Sequence, residues 1–207
     1  MQRYNVVILC ILAFFFWCRP VFAFDQQHLE ILQTTKRCEE CDLSGANLEG
    51  VCLENACLAG SDLSDANLSK ADLQNAVLYN CILVGVKLDS ANMTHTKLQR
   101  ANLAGVDFSQ VTYIRANFKG ANLQGANFEG VDMRQNSMRK ADLRGANLQK
   151  ANLDWVRLQG ADLRGADLTG ASMSNTQVKG ALFDEQGREY ARQHGANFEH
   201  DRRVDTN

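Results

Sequence analysis

A five-residue unit repeats over residues 41–185 with no insertion or deletion: a small or β-branched residue, Asp or Asn, then Leu, Phe or Met, then two variable residues. Its third position is denoted i. Steps of five from Leu43 through Leu48 and Leu53 to Phe183 visit 29 positions, and all are apolar. Position i−2 is small or β-branched at nearly every step, as at Ala46, Val51, Ala101 and Ala161. Five residues advance an α-helix by about 500°, so these side chains would spiral around a helix instead of lining one face. A flat strand alternates with period two, so an odd repeat would send successive leucines to opposite faces. What survives is a chain that is extended within each unit, points i and i−2 the same way, and turns a corner before the next. The product is a coil with an apolar interior.

The remaining positions fit corners. Asp or Asn dominates i−1 (Asp42, Asn47, Asp62, Asn102), and Gly recurs at i+2 (Gly45, Gly50, Gly105, Gly125). Short polar side chains that bond nearby backbone, together with glycine, are what tight turns use. Coils then stack through backbone hydrogen bonds about 4.8 Å apart. One coil cannot bury its own leucines, so the stack is the cooperative unit.

The runs Ala-Asn-Leu-Gln-Gly-Ala-Asn-Phe at 121–128 and Ala-Asp-Leu-Arg-Gly-Ala-Asn-Leu at 141–148 resemble the pentapeptide-repeat protein family. The resemblance implies an all-β solenoid, a right-handed quadrilateral β-helix with four units per turn. It implies about seven coils, with short N- and C-terminal capping helices. Asn136, Thr96 and Thr176 stand at inward i−2 positions where Ala is usual, which calls for local loosening or an internal hydrogen bond.

The organisation expected is a signal peptide at 1–23, an N-terminal cap at 24–40, the β-helix at 41–185, and a C-terminal helix with a polar tail at 186–207. Arg3, an apolar run over residues 6–17, Pro20 and the small-residue pattern ending at Ala23 predict export with cleavage. The run is shorter than the roughly 20 residues a membrane span needs, so no stable span is expected after cleavage. Leu29, Ile31 and Leu32 are expected to cover the first coil. Residues 184–195 read as a helix with an acidic first turn and a glycine stop. Cys38, Cys41, Cys52, Cys57 and Cys81 follow the signal segment, an odd count that leaves at least one thiol unpaired or joined to another chain. Cys38 and Cys41 are expected to form a local disulfide or to stay as buried thiols pinning the cap. A redox or metal role is the alternative, but no second ligand pair follows.

No catalytic cluster, cofactor motif or metal set emerges. His28, His95, His194 and His200 have no spacing that joins them, and the repeat itself accounts for Asp62, Asp65, Ser44, Ser61 and Ser64. Gly marks corners and no phosphate-loop Gly-Lys-Ser follows. The chain is therefore expected to be no enzyme.

Bulk charge is uninformative: −2 for the whole chain, about −4 once Arg3 and Arg19 are removed. Sorting by side says more. With four units per turn the first side (41–45, 61–65 and so on) nets −5, and the second (46–50) and third (51–55) net −2 each. The fourth side, residues 56–60 through 176–180 in steps of 20, holds Lys97, Arg100, Lys119, Arg139, Lys140, Arg157 and Lys179 and no acid. Three units per turn yields no acid-free side, which independently favours four. The basic side suits an anionic partner, and a merely solvated face shared by duplicated units is the alternative. Trp155, at a corner, is the best anchor among exposed large residues such as Tyr79, Ile82 and Ile114. Phe108, Tyr113, Phe118 and Phe128 are expected inside.

Three functions follow. The first is an exported, periplasmic or secreted scaffold whose flat faces bind a protein or an anionic envelope component. The second is a nucleic-acid mimic, since some members of the family resemble duplex DNA and bind topoisomerases; the signal segment, mild charge and basic side oppose it, and nucleic acid is an unlikely partner. The third is direct binding of anionic lipid or polysaccharide through the basic side.

Overall fold

The computed structural model describes residues 25–199 apart from Thr112, and only the backbone of Tyr113 and Ile114. The expected signal segment with its cut at Ala23, residues 200–207, and the side-chain placements of Tyr113 and Ile114 lie outside the described residues.

Parallel bridges join residues twenty apart, from Arg37 with Cys57 to Gln177 with Asn197. Twenty residues are four units, so each turn of the coil has four sides. The backbone accounting explains why. Leu43 N–H donates to Asp62 O at 2.8 Å and Gly45 N–H to Ser64 O at 2.7 Å, both in the next coil, while Asp62 N–H returns to Cys41 O at 2.9 Å. Ala46 N–H closes the corner onto Leu43 O at 3.0 Å. The fifth amide, Ser44 N–H, goes to Oδ1 of Asp42 at 3.0 Å. Asp or Asn at i−1 thus satisfies the one donor that the stack leaves over, which is why the repeat keeps it. At i+2 the backbone is left-handed, whether in glycine (Gly105, φ 70) or not (Asn55, φ 59; Lys140, φ 57).

Inward positions i and i−2 form one continuous core. Phe108 stacks on Phe128 with centroids 4.5 Å apart, and Phe118 meets Phe108 edge-on at 5.8 Å. Thr96 and Thr176 are fully buried, and their hydroxyls donate to Leu73 O (3.0 Å) and Leu153 O (2.7 Å) in the coil before. Ser61 bonds Cys38 O in the same way at 2.6 Å. Ser61, Thr96 and Thr176 are therefore satisfied, whereas beside Asn136 the bonds between coils lengthen to 3.3 Å, at Ser137 N–H to Ala116 O and Arg157 N–H to Asn136 O.

Helix α1 (Gln26–Thr35) starts at Asp25, whose side chain accepts from Gln27 N–H, and ends at Lys36 in the left-handed region. Leu32 is buried and Leu29 packs on the core, but Ile31 is 44% exposed, so its expected covering role is not seen: it faces solvent. Strand β1 (Asn92–Lys97) pairs in parallel with β2 (Tyr113–Asn117). Their register departs from the rest: Asn92 faces Tyr113 and Met93 faces Ile114, 21 residues apart, before Lys97 regains Asn117 at 20. The unbroken sequence repeat therefore carries a one-residue bulge. Helix α2 (Glu185–Gln193) is N-capped by Asp184, and buries Gly187 and Ala191. Cys38 and Cys41 form a disulfide, with Cα atoms 5.5 Å apart, whereas Cys52, Cys57 and Cys81 are free.

Candidate binding face

The fourth side is built on the ladder Arg37, Cys57, Val77, Lys97, Asn117, Ser137, Arg157, Gln177 and Asn197, successive partners in register. Lys97 and Arg157 lie on this ladder. Arg100, Lys119, Arg139, Lys140 and Lys179 lie at its corner edge, where Arg100 N–H bonds Lys119 O at 3.1 Å and Gly160 N–H bonds Lys179 O at 2.9 Å. All seven are exposed. Trp155, 62% exposed, occupies the corner at which the third side turns into this one, two residues before Arg157.

This side differs from the others in two ways that composition hides. Six of its seven i−1 residues between 56 and 180 are neither Asp nor Asn, against at most three on any other side. Only Asn117 there makes the local bond, to Lys119 N–H at 3.1 Å. Side chains that elsewhere fold back onto the backbone are here replaced by the exposed Lys97, Arg157 and Gln177, the half-buried Cys57 and Val77 and the buried Ser137. The second difference is pairing. On the other three sides five of seven basic residues are in ion pairs: Lys70 with Glu49, Arg134 with Asp132, Arg144 with Asp142, Lys150 with Glu129 and Arg164 with Asp162. Among the described residues none of the seven on the fourth side is.

The structure also gives the stripe ends that the repeat boundaries left out. Residues 36–40 form the first step of this side, since Cys38 N–H bonds Cys57 O at 2.8 Å and Glu40 N–H bonds Ala59 O at 2.9 Å. They bring Glu39, paired with Arg37 at 2.9 Å, and Glu40. Glu199, two residues past the bridged Asn197, closes the other end. The side is acid-free only between these ends.

Two other places were candidates for chemistry. Cys52, Glu54 and Asp72 hold ligand atoms within 4.8 Å of one another, but the Lys36 ammonium lies 3.6 Å from the Cys52 sulfur and supplies the positive charge there. A polar cleft between the last coil and α2 is lined by Asp167, Thr169, Asp184 and Tyr190. Its Asp184 carboxylate is engaged by Gly165 N–H at 2.9 Å and Gly187 N–H at 2.7 Å, so it serves the fold. No helix among the described residues is long and apolar enough to cross a membrane.

The family described as pentapeptide repeats matches in eight copies, over residues 41–78, 71–110, 114–149 and 146–184. The gap between 110 and 114 coincides with the bulge. No curated protein matches the chain. Among solved structures, a pentapeptide repeat protein from the Arabidopsis thaliana thylakoid lumen is 30% identical, covering 49% of this chain and 75% of that one, with a TM-score of 0.35. QnrB1, a plasmid-mediated fluoroquinolone resistance protein, is 16% identical over 76% of this chain and 84% of its own, with a TM-score of 0.43. HetL, involved in heterocyst differentiation regulation in the cyanobacterium Nostoc sp. strain PCC 7120, is 26% identical over 70% and 71%, with a TM-score of 0.28.

Proposed function

The chain belongs to the pentapeptide-repeat family, and on that premise we propose that it is a non-enzymatic, exported binding protein whose fourth side holds an anionic macromolecule. The observation that carries this reading is the set of seven exposed basic residues without ion pairs on one ladder, while their counterparts elsewhere are mostly neutralised. Unpaired like charges on a rigid face repel one another and gain most from a partner of opposite sign. The rod is read as a right-handed coil of a little over seven turns closed by α1 and α2. Export is supported by the pattern ending at Ala23 and by the Cys38–Cys41 disulfide, which suits an oxidising compartment.

The test is capture from the native envelope fraction by the wild type and by the variant Arg139→Glu/Lys140→Glu, with sequencing of the mature N-terminus. Salt-sensitive capture that the variant loses supports the reading, and equal capture overturns it. A DNA mimic would need acid on its contacting face, and this side has none between Glu40 and Glu199, so gyrase supercoiling is expected to be unaffected at stoichiometric protein.

A further inference from the structure

Resting on that reading of the basic side, we propose that its occupant is a linear acidic polysaccharide lying parallel to the rod axis, about one charged sugar per coil, with Trp155 against one ring. Each of five consecutive coils supplies at least one base: Lys97 and Arg100, Lys119, Arg139 and Lys140, Arg157, then Lys179. Coils repeat at about 4.8 Å, close to the length of one sugar in an extended polyuronate, so cation and carboxylate spacings stay in step along the rod. The track runs four steps, about 19 Å; Glu199 lies one coil past its Lys179 end, and two uncharged steps, 56–60 and 76–80, separate its other end from Glu40.

Alongside the track, over residues 91–185, the first side nets −2, from Asp184 and Glu185 at its end, and the third nets 0, so one row of unpaired bases runs between nearly neutral flanks, and a single polymer chain matches its width. Each strand of a nucleic-acid duplex carries a phosphate every ~3.4 Å of its axis, out of step with the coils, and the bases of a single strand want a row of aromatics; this face offers Trp155 at one edge and, one coil before Gln99, the half-buried Tyr79.

Trp155 supplies the second observation. It is a bulky residue in left-handed backbone (φ 63), in a column shared with Asn55, Asn75, His95, Gln135 and Asn175. Its ring is 62% exposed and contacts no other described ring. Nothing in the fold calls for tryptophan there, whereas a flat apolar surface beside Arg157 suits the C–H face of a sugar held by its charge.

The experiment titrates the full-length protein with size-defined oligogalacturonates, read by calorimetry and tryptophan emission. Affinity is expected to rise with length up to about five sugars and then level off, and to fall at least tenfold from about 20 to about 200 mM salt. Arg139→Gln/Lys140→Gln and, separately, Trp155→Ala should each weaken binding about tenfold with thermal midpoints unchanged. Absent binding, or binding that these variants leave intact, overturns the polysaccharide assignment. Phosphatidylglycerol vesicles and oligo(dT) are the comparison probes. If either binds through the fourth side while oligogalacturonate does not, the polymer proposal falls and the anionic-face reading stands. If all three probes and the envelope capture ignore the charge variants, both fall.

Discussion

The side-chain oxygen of Asn136 accepts a hydrogen bond from the amide of Ala116 at 2.6 Å, reaching back one full coil. Elsewhere in the rod the N–H at this unit position commonly closes onto the carbonyl three residues earlier, as Ala121 does with Phe118; Cys41, at the first coil, instead bonds Ser61 Oγ at 3.1 Å. Ala116 follows the one-residue bulge between β1 and β2, and its acceptor is a side chain. Asn136 also donates to Met133 O at 2.8 Å, so the carboxamide is held at both ends.

Asn136→Ala restores the commonest residue of the repeat yet is expected to destabilise the protein, because a buried N–H at Ala116 loses its acceptor. The cost should be about 1–3 kcal/mol, seen as a lower urea midpoint with unchanged slope. The same change at Thr176 should cost less, about 0.5–1.5 kcal/mol, since Leu153 O also accepts from Val156 N–H and is not orphaned. Equal costs at the two sites would refute this ranking.

Trp155→Asn should leave the fold as stable or raise its stability by about 0.5–1 kcal/mol, because Asn tolerates left-handed backbone far better than tryptophan. Paired with weaker polymer binding, that result separates a functional residue from a structural one. A clear drop in the urea midpoint would show that the ring supports the fold.

Acid should destabilise the rod mainly between pH 4 and pH 2. The hydrogen bond from Arg144 holds the Asp142 carboxyl down to about 2, with help from Gln124. Arg134 and Arg164 lower Asp132 and Asp162 in the same way. A carboxylate depressed on folding stabilises above its unfolded pKa, about 3.9, and that contribution disappears as pH falls through the folded value. Asp142→Asn should therefore melt lower than wild type at pH 6, with the gap narrowing towards pH 2. A gap independent of pH would exclude the ion pair as its source.

Thiol chemistry should separate the three free cysteines. Burial pushes the Cys81 thiol up to about 12, with the side chain 1% exposed, whereas Cys52 is open. Iodoacetamide on native protein should modify Cys52 first and spare Cys81 until denaturant is added, as peptide mapping would show. Early labelling of Cys81 would mean that the coil opens locally.

Much of the interior was legible because a solenoid repeats one local decision. Given a period of five, apolar i and small i−2, every coil buries the same two columns, and Leu43, Ala46, Leu163 and Ala161 do so. The bulge at 111–115 falls on the unit Val-Thr-Tyr-Ile-Arg, which departs from the pattern at two letters, Thr112 for Asp or Asn and Tyr113 for Leu, Phe or Met; the departure was legible, but not that the register would slip there. Three phenylalanine rings already pack against one another in this part of the lumen. Whether a fourth aromatic fits is a question of volume across coils, which a linear pattern does not contain. Among candidate binding residues, the register placed the seven bases on one side, and the residue types at i−1 there already announced the missing local hydrogen bonds, but the bases' lack of ion pairs could not be read without coordinates.

The sequence by itself determined the inside of the protein and the four-sided address of each surface residue, because period and polarity act through nearest neighbours. Only the tertiary structure decided how charges pair across coils, how Asn136 repairs a slipped register, and where Glu39, Glu40 and Glu199 end the acid-free stretch of the fourth side. Those outcomes depend on contacts between residues about twenty apart, and such contacts exist only once the coil has closed and stacked.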